Sequence, residues 1–149
     1  MNPFDIREAL LAKHAQHVVL IHFPIALFIV AVVFDFLAQK TKKRAFADVA
    51  YYNLLGAAIS AVPVVITGIL AWRFQLEGQR LKGILLMHLV MGWASAILIW
   101  IAWGLHARAK RGLPEKLPVL RLGLEMIGVA IVGLTGHLGG FLSGINGPS

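Results

Sequence analysis

The sequence contains no cysteine and few charged residues. Without cysteine, the chain cannot form disulfides, thiolate metal sites or the covalent attachment of a c-type haem. Charged residues make up 14% of its 149 residues, whereas about a quarter is usual in soluble globular domains. The charges that are present lie between long apolar runs. The low content of charged residues and their placement between apolar runs exclude an ordinary soluble domain.

Apolar residues, by contrast, account for 58% of the chain, and the mean hydropathy is +0.77. A soluble domain of this length has too little interior to bury so much apolar surface. The net charge of +7 does not indicate nucleic-acid binding, because the lysines and arginines flank apolar runs, where membrane topology explains them. The composition therefore predicts an integral membrane protein surrounded by a lipid bilayer.

Four apolar runs are long enough to cross the bilayer, which takes about 20 helical residues. The predicted spans cover residues 18–37, 49–72, 83–105 and 118–142. We predict a single all-α integral membrane domain over residues 1–149, a four-transmembrane-helix bundle. A short interfacial helix is expected ahead of the first span. We expect that span to be retained, since no small-residue cleavage site follows it.

Lysine and arginine are distributed unequally between the two ends of this bundle. The loops after spans one and three hold nine, and the N-terminus with the loop after span two holds five. The nine are Lys40, Lys42, Lys43, Arg44, Arg108, Lys110, Arg111, Lys116 and Arg121, and the five are Arg7, Lys13, Arg73, Arg80 and Lys82. The bias predicts a multi-pass protein whose loops after spans one and three are cytoplasmic and whose two termini lie outside.

Histidines gather near the opposite, outer end. His22, His88 and His137 each lie four or five residues inside a different span, which places them roughly 6 to 8 Å deep at about 1.5 Å per residue. His14 and His17 lie just above them. Intramembrane ionisable residues are costly and tend to mark functional sites. The alternative interpretation is that each imidazole simply bonds a carbonyl or interfacial water.

Imidazoles on facing helices of a bundle can hold haem b between apolar walls. His22 and His88 are the predicted axial ligands. His137 is predicted as an alternate ligand or a hydrogen-bond partner of a ligand. Arg73 and Arg80, in or beside the adjoining outer loop, are predicted to neutralise the haem propionates.

Two other interpretations of the histidines stay open. A copper or zinc site would use three or four nitrogen ligands, and His14 and His17 could join it because they face one side of a helix. A structural subunit without a cofactor would anchor a larger membrane complex through its small-residue helix faces. The sequence shows no nucleophile–base set of the kind that an independent enzyme would need. An electron-transfer or accessory subunit is therefore predicted.

Further ionisable residues lie in the inner half of the bundle. Asp35, late in span one, is expected to reach Lys40 or Arg44. Glu125 is deeper, and we expect it to pair with a tryptophan N–H or a serine, or to take up protons for a quinone reaction. His106 is interpreted as a polar residue that bonds a carbonyl or interfacial water.

The spacing H-x-x-H-x-x-x-x-H-F-P, residues 14 to 24, resembles the opening of a bacterial four-span family catalogued as domain of unknown function 2231. His88 early in span three and the segment TGHLGG, residues 135 to 140, resemble other recurring features of that family. The resemblance covers nearly the whole chain. It implies a protein of the bacterial inner membrane with periplasmic termini, and redox work at the outer face beside partners such as a cytochrome c. The predicted function is therefore a haem b-binding membrane subunit that transfers electrons between the quinone pool and a periplasmic redox partner.

Overall fold

A computed structural model describes residues 13–74, 78, 80–112 and 118–143. Within these residues the fold is all-helical, without strands. The helices are α1 (Lys13–Leu20), α2 (His22–Thr41), α3 (Arg44–Phe74), α4 (Gly83–Lys110) and α5 (Pro118–Leu142). The short N-terminal helix α1 leads directly into α2 through Ile21. The residues ahead of Lys13, where an interfacial helix is predicted, lie outside the described residues.

Among the described residues, four helical segments are long and apolar enough to cross a membrane: Gln16–Thr41, Arg44–Phe74, Gly83–Lys110 and Leu120–Leu142. The predicted fold class, a bundle of four membrane-spanning helices preceded by a short helix, is thus confirmed. Several helices extend beyond the predicted spans. The fourth helix, for example, continues past residue 105 to Lys110, because polar residues propagate the helix after the apolar run has ended.

The four long helices form a ring of neighbours. α2 packs against α3, α3 against α4, α4 against α5, and α5 returns to α2, while α1 packs mainly against α3. Consecutive helices alternate in direction, so the connections after α2 and α4 share one end, which we call the basic end. The other end receives α1, the start of α4 and the end of α5, and we call it the histidine end.

Small residues fill the middle of the bundle and let the helices approach closely. Phe28 is the largest side chain of this core, and its ring reaches α5 beside Gly128. A Cβ atom at Gly128 would lie 2.8 Å from Phe28 Cζ, so only glycine leaves room for the ring there. The buried core consists of Phe28, Ala31, Val32, Leu54, Ala57, Ala58, Ile99, Ala102 and Val132.

Candidate functional site

Two histidines from separate helices come together at the histidine end. The ring centroids of His17, on α1, and His88, on α4, lie 6.4 Å apart, and the ring planes are 87° apart. Glycines provide the space that both rings occupy. A Cβ atom at Gly68 would lie 3.0 Å from His17 Cε1, and one at Gly139 would lie 3.1 Å from His88 Cε1. We call His17 and His88 the histidine pair.

Hydrogen bonds fix which nitrogen of each paired ring bears the proton. His88 Nδ1 lies 3.1 Å from the carbonyl oxygen of Thr135, which can only accept, so Nδ1 donates. His17 Nδ1 lies 3.1 Å from Thr67 Oγ1, whose own proton is directed to the Pro63 carbonyl at 2.8 Å. His17 Nδ1 therefore donates as well. In the neutral rings, the lone pair then belongs to Nε2.

The other histidines of the predicted layer do not join this pair. His22 is exposed, and its Nδ1 bonds the Val18 carbonyl oxygen one turn earlier at 2.7 Å. His137 is also exposed, with its ring 5.0 Å from that of Phe141. His14 belongs to α1, but its side chain lies outside the described residues. Haem ligation by His22 and His88 stays a prediction.

A cavity of about 70 Å³ lies inside the bundle beside His88. All four long helices contribute to its mostly apolar wall, including Pro24, Ala61 and Ile99. The polar groups at its surface include Ser95 and Thr135, whose hydroxyl oxygens lie 3.1 Å apart. Ligand sites usually enclose about 300 Å³ or more, so this cavity is too small to take a porphyrin.

Ionisable residues from three helices meet nearer the basic end. His106 Nε2 lies 2.8 Å from Glu125 Oε1 and 3.8 Å from Asp35 Oδ1. Arg121 Nη2 donates to Asp35 Oδ1 at 2.6 Å, and Gln39 Nε2 donates to Asp35 Oδ2 at 2.7 Å. Asp35, His106 and Glu125 are buried. We call Asp35, His106, Arg121 and Glu125 the ionic cluster.

Charge is balanced inside this cluster. The Arg121 guanidinium offsets the Asp35 carboxylate. The His106–Glu125 pair would carry no net charge either as imidazolium with carboxylate or as two neutral groups. Buried charges are tolerated when they are paired and hydrogen-bonded in this way. Glu125 Oε2 and Trp103 Nε1 are nevertheless buried without a hydrogen-bond partner among the described residues.

Comparison with known proteins places residues 13–146 in a family described as a predicted membrane protein, domain of unknown function 2231. The chain belongs to this family. Membership in domain of unknown function 2231 confirms the resemblance seen in the sequence, and together with the four spans it makes the chain a multi-pass membrane protein. No curated protein and no solved structure matches the chain.

Three members of the ionic cluster could also hold a metal ion. Asp35, His106 and Glu125 each offer one ligand atom, and these atoms lie within 4.8 Å of one another. Carboxylate oxygens with an imidazole nitrogen suit several divalent cations. Arg121, however, already supplies a positive charge at bonding distance from Asp35, so the cluster needs no further cation for charge balance.

The cluster corrects the bonding partners that the sequence led us to expect for three residues. Asp35 does not extend to Lys40 or Arg44, because Arg121 and Gln39 bond its two oxygens inside the bundle. His106 bonds a carboxylate, and Glu125 bonds that imidazole through Oε1. One signal was present in the sequence: an arginine and a glutamate four residues apart within an apolar helix, the spacing of Arg121 and Glu125.

The arginines predicted to meet the propionates lie at the histidine end. Arg73 is in the last turn of α3, and Arg80 lies in the connection before α4. Both are exposed, on the same side of the bundle as His17 and His88. Their position beyond the apolar part of the helices is where a cation can meet an anionic group at the membrane surface.

Proposed function

We propose that this chain is a haem b-binding subunit of the bacterial inner membrane that transfers electrons between the quinone pool and a periplasmic redox partner such as a cytochrome c. Bound haem b would supply a one-electron carrier, which no side chain of this chain can provide. His17 and His88 would hold the iron. The observation that favours this proposal is the spacing of the histidine pair.

Two imidazoles on opposite sides of one metal ion have a characteristic separation. With metal–nitrogen bonds of about 2.0 Å on each side, the ring centroids would lie about 6 Å apart. The 6.4 Å between the centroids of His17 and His88 agrees with that value. An edge-to-face contact of two rings also falls in this range, so the distance supports ligation without requiring it.

Hydrogen bonding at Nδ1 supports the same role. Metal-ligating histidines almost always donate their second ring N–H to a carbonyl, a carboxylate or water, which orients the ring. Thr135 provides such a carbonyl for His88, and the Thr67 hydroxyl oxygen does so for His17. These bonds leave Nε2 of each neutral ring as the basic nitrogen.

The porphyrin itself would not occupy the closed cavity beside His88, which encloses only about 70 Å³. Haem binding at the present spacing of the histidine pair therefore requires the macrocycle to extend past the bundle surface towards lipid. Arg73 and Arg80 stand at this end and would pair with the propionates.

Charge distribution supports a periplasmic location for the histidine end. Arg121 belongs to the ionic cluster inside α5, so it no longer counts as a loop cation. The comparison then becomes eight lysines and arginines at the basic end (nine less Arg121) against five at the histidine end. The bias still favours a cytoplasmic basic end and periplasmic termini.

A reduced-minus-oxidised visible spectrum of the purified protein in mild detergent, with a pyridine haemochrome assay, tests the proposal. We expect a b-type spectrum with about one haem per chain. His17→Ala and His88→Ala should each abolish the bis-histidine spectrum. His137→Ala is the matched control and should retain it, because that imidazole is exposed and packs on Phe141.

His22→Ala distinguishes the two candidate ligand pairs. Loss of the spectrum in this variant, with normal haem in His17→Ala, would restore His22 and His88 as the axial pair. A featureless spectrum from folded wild-type protein would reject haem. Metal analysis would then separate a copper or zinc site at the histidine pair from a subunit that has no cofactor and anchors a larger membrane complex.

A further inference from the structure

The ionic cluster occupies one layer near the basic end of the bundle. Asp35 lies six residues before the end of α2, His106 four residues before the end of α4, and Glu125 seven residues after the start of α5. At about 1.5 Å per residue, all three are roughly 6 to 10 Å from that end. We infer that His106 and Glu125 form a proton-binding site that exchanges protons with the basic end. This inference does not depend on haem binding.

Glu125 Oε2 is the atom that takes up the proton. It is buried and has no hydrogen-bond partner among the described residues, whereas Oε1 bonds His106 Nε2 at 2.8 Å. A carboxylate oxygen without a donor in an apolar interior is costly, and protonation removes that cost. The proton comes from water at the basic end, and its uptake raises the net charge of the cluster from zero to plus one.

The charged groups that face the His106–Glu125 pair lie on α2 and α5. α2 contributes Asp35, and α5 itself contributes Arg121 one turn from Glu125. On α3, the acid near this end is Asp48, which is partly exposed and accepts a hydrogen bond from Lys110 at 2.9 Å, one turn beyond His106. A second positive charge beside Arg121 favours release, so the site exchanges its proton and does not trap it.

Apolar side chains close the site on its other side. Phe28, Ile99 and Val132 are buried, and each lies seven residues from the cluster member of its own helix, Asp35, His106 and Glu125 respectively. Seven residues are about two helical turns, so these three side chains form one layer about 10 Å deeper. We call them the apolar layer.

Polar side chains lie on the opposite side, towards the basic end. Gln39, half-buried, stands one turn beyond Asp35 and donates to it, and the partly exposed Arg121 stands one turn beyond Glu125. Water can hydrogen-bond to these groups but not to the apolar layer. Proton exchange is therefore directed to the basic end.

Infrared difference spectroscopy of the full chain in nanodiscs, recorded across a pH titration, tests this site. The wild-type protein should show the carbonyl stretch of a protonated carboxylic acid that disappears as pH rises and shifts in heavy water. Glu125→Gln should remove this band. Asp48→Asn is the control and should keep it, because the Asp48 carboxylate is partly exposed and paired with Lys110.

His106→Gln supplies a second test if the Glu125 variant fails to fold. It keeps a buried polar partner, and the band should persist with its titration midpoint moved by about one pH unit or more. An unchanged midpoint in folded His106→Gln, or a band that survives in folded Glu125→Gln, would overturn the inference. So would a divalent metal bound at one per chain in wild type and lost in Glu125→Gln.

Discussion

Asp35 has no exposed surface, yet both of its carboxylate oxygens are bonded, one by Arg121 and the other by Gln39. The pair contributes little net stability relative to apolar side chains of the same shape, because both charges lose their hydration. Removing one partner is different, since the remaining charge is buried and uncompensated. Arg121 on α5 is therefore needed to neutralise a buried carboxylate on α2.

We predict that Arg121→Ala lowers the free energy of unfolding by about 3 to 5 kcal/mol, because Asp35 is left without its cation. Thermal unfolding in detergent, followed by circular dichroism, measures the loss. The double variant Asp35→Asn with Arg121→Gln should recover a large part of it, since no buried charge remains unpaired. Asp48→Asn is the matched surface control and should have little effect, as exposed pairs contribute little.

Depth along a helix can be predicted from the sequence, but rotation about its axis cannot. Counting residues placed His22, His88 and His137 in one layer, whereas the structure pairs His88 with His17 and leaves the other two exposed. Each residue turns a helix by about 100°, so an error of one position redirects a side chain completely. Likewise, residue spacing within one helix could not identify Arg121 as the partner of Asp35, because the two residues are 86 positions apart.

At the scale of helices, α2 and α5 fit together because Phe28 fills the space above Gly128. Packing of small residues is the main contribution to helix association in lipid, where water exclusion no longer drives it. A single methyl group at this point would have to displace a buried aromatic ring.

Gly128→Ala should therefore destabilise the bundle by about 1 to 3 kcal/mol, because the new Cβ would lie 2.8 Å from Phe28 Cζ. Gly133→Ala on the same helix is the control. No atom lies within 4 Å of its Cβ position, so its unfolding temperature should match or exceed that of the wild type. Combining Gly128→Ala with Phe28→Leu should restore part of the loss, and equal stability of both glycine variants would contradict the packing argument.

The existence of the four helices followed from composition, since runs of about 20 apolar residues can cross the bilayer in few other ways. Some helix ends did not, because Thr41 and Lys110 lie past the apolar runs, where charge and polarity no longer distinguish helix from loop. The cluster was missed for a related reason. Arg121 was counted as a loop cation, although it lies inside the helix that begins at Pro118.

At the scale of the whole molecule, the two ends of the bundle differ in chemistry. The histidine pair lies at one end and the ionic cluster near the other, with the apolar layer between them. The proposed electron transfer and the inferred proton exchange would therefore face opposite compartments. Which compartment each faces depends on the orientation in the membrane.

The absence of cysteine makes that orientation measurable with single introduced thiols. Lys82→Cys lies at the histidine end and Lys43→Cys at the basic end, and both positions are exposed. In right-side-out spheroplasts, a membrane-impermeant maleimide should label Lys82→Cys and leave Lys43→Cys unmodified. Inverted membrane vesicles should give the opposite pattern, and the reverse result in both preparations would reject periplasmic termini.

The shallow position of the ionic cluster also has an electrical consequence. A proton that moves from the basic end to Glu125 travels about 10 Å along α5 and at most about a third of the hydrocarbon thickness, because the helix ends extend past the apolar runs. Moving one charge across the whole membrane changes its free energy by about 2.3 kcal/mol per 100 mV, so this step changes it by at most about 0.7 kcal/mol. The occupancy of Glu125 would then change by up to about threefold for each 100 mV, so the bundle would respond to the membrane potential without any helix moving.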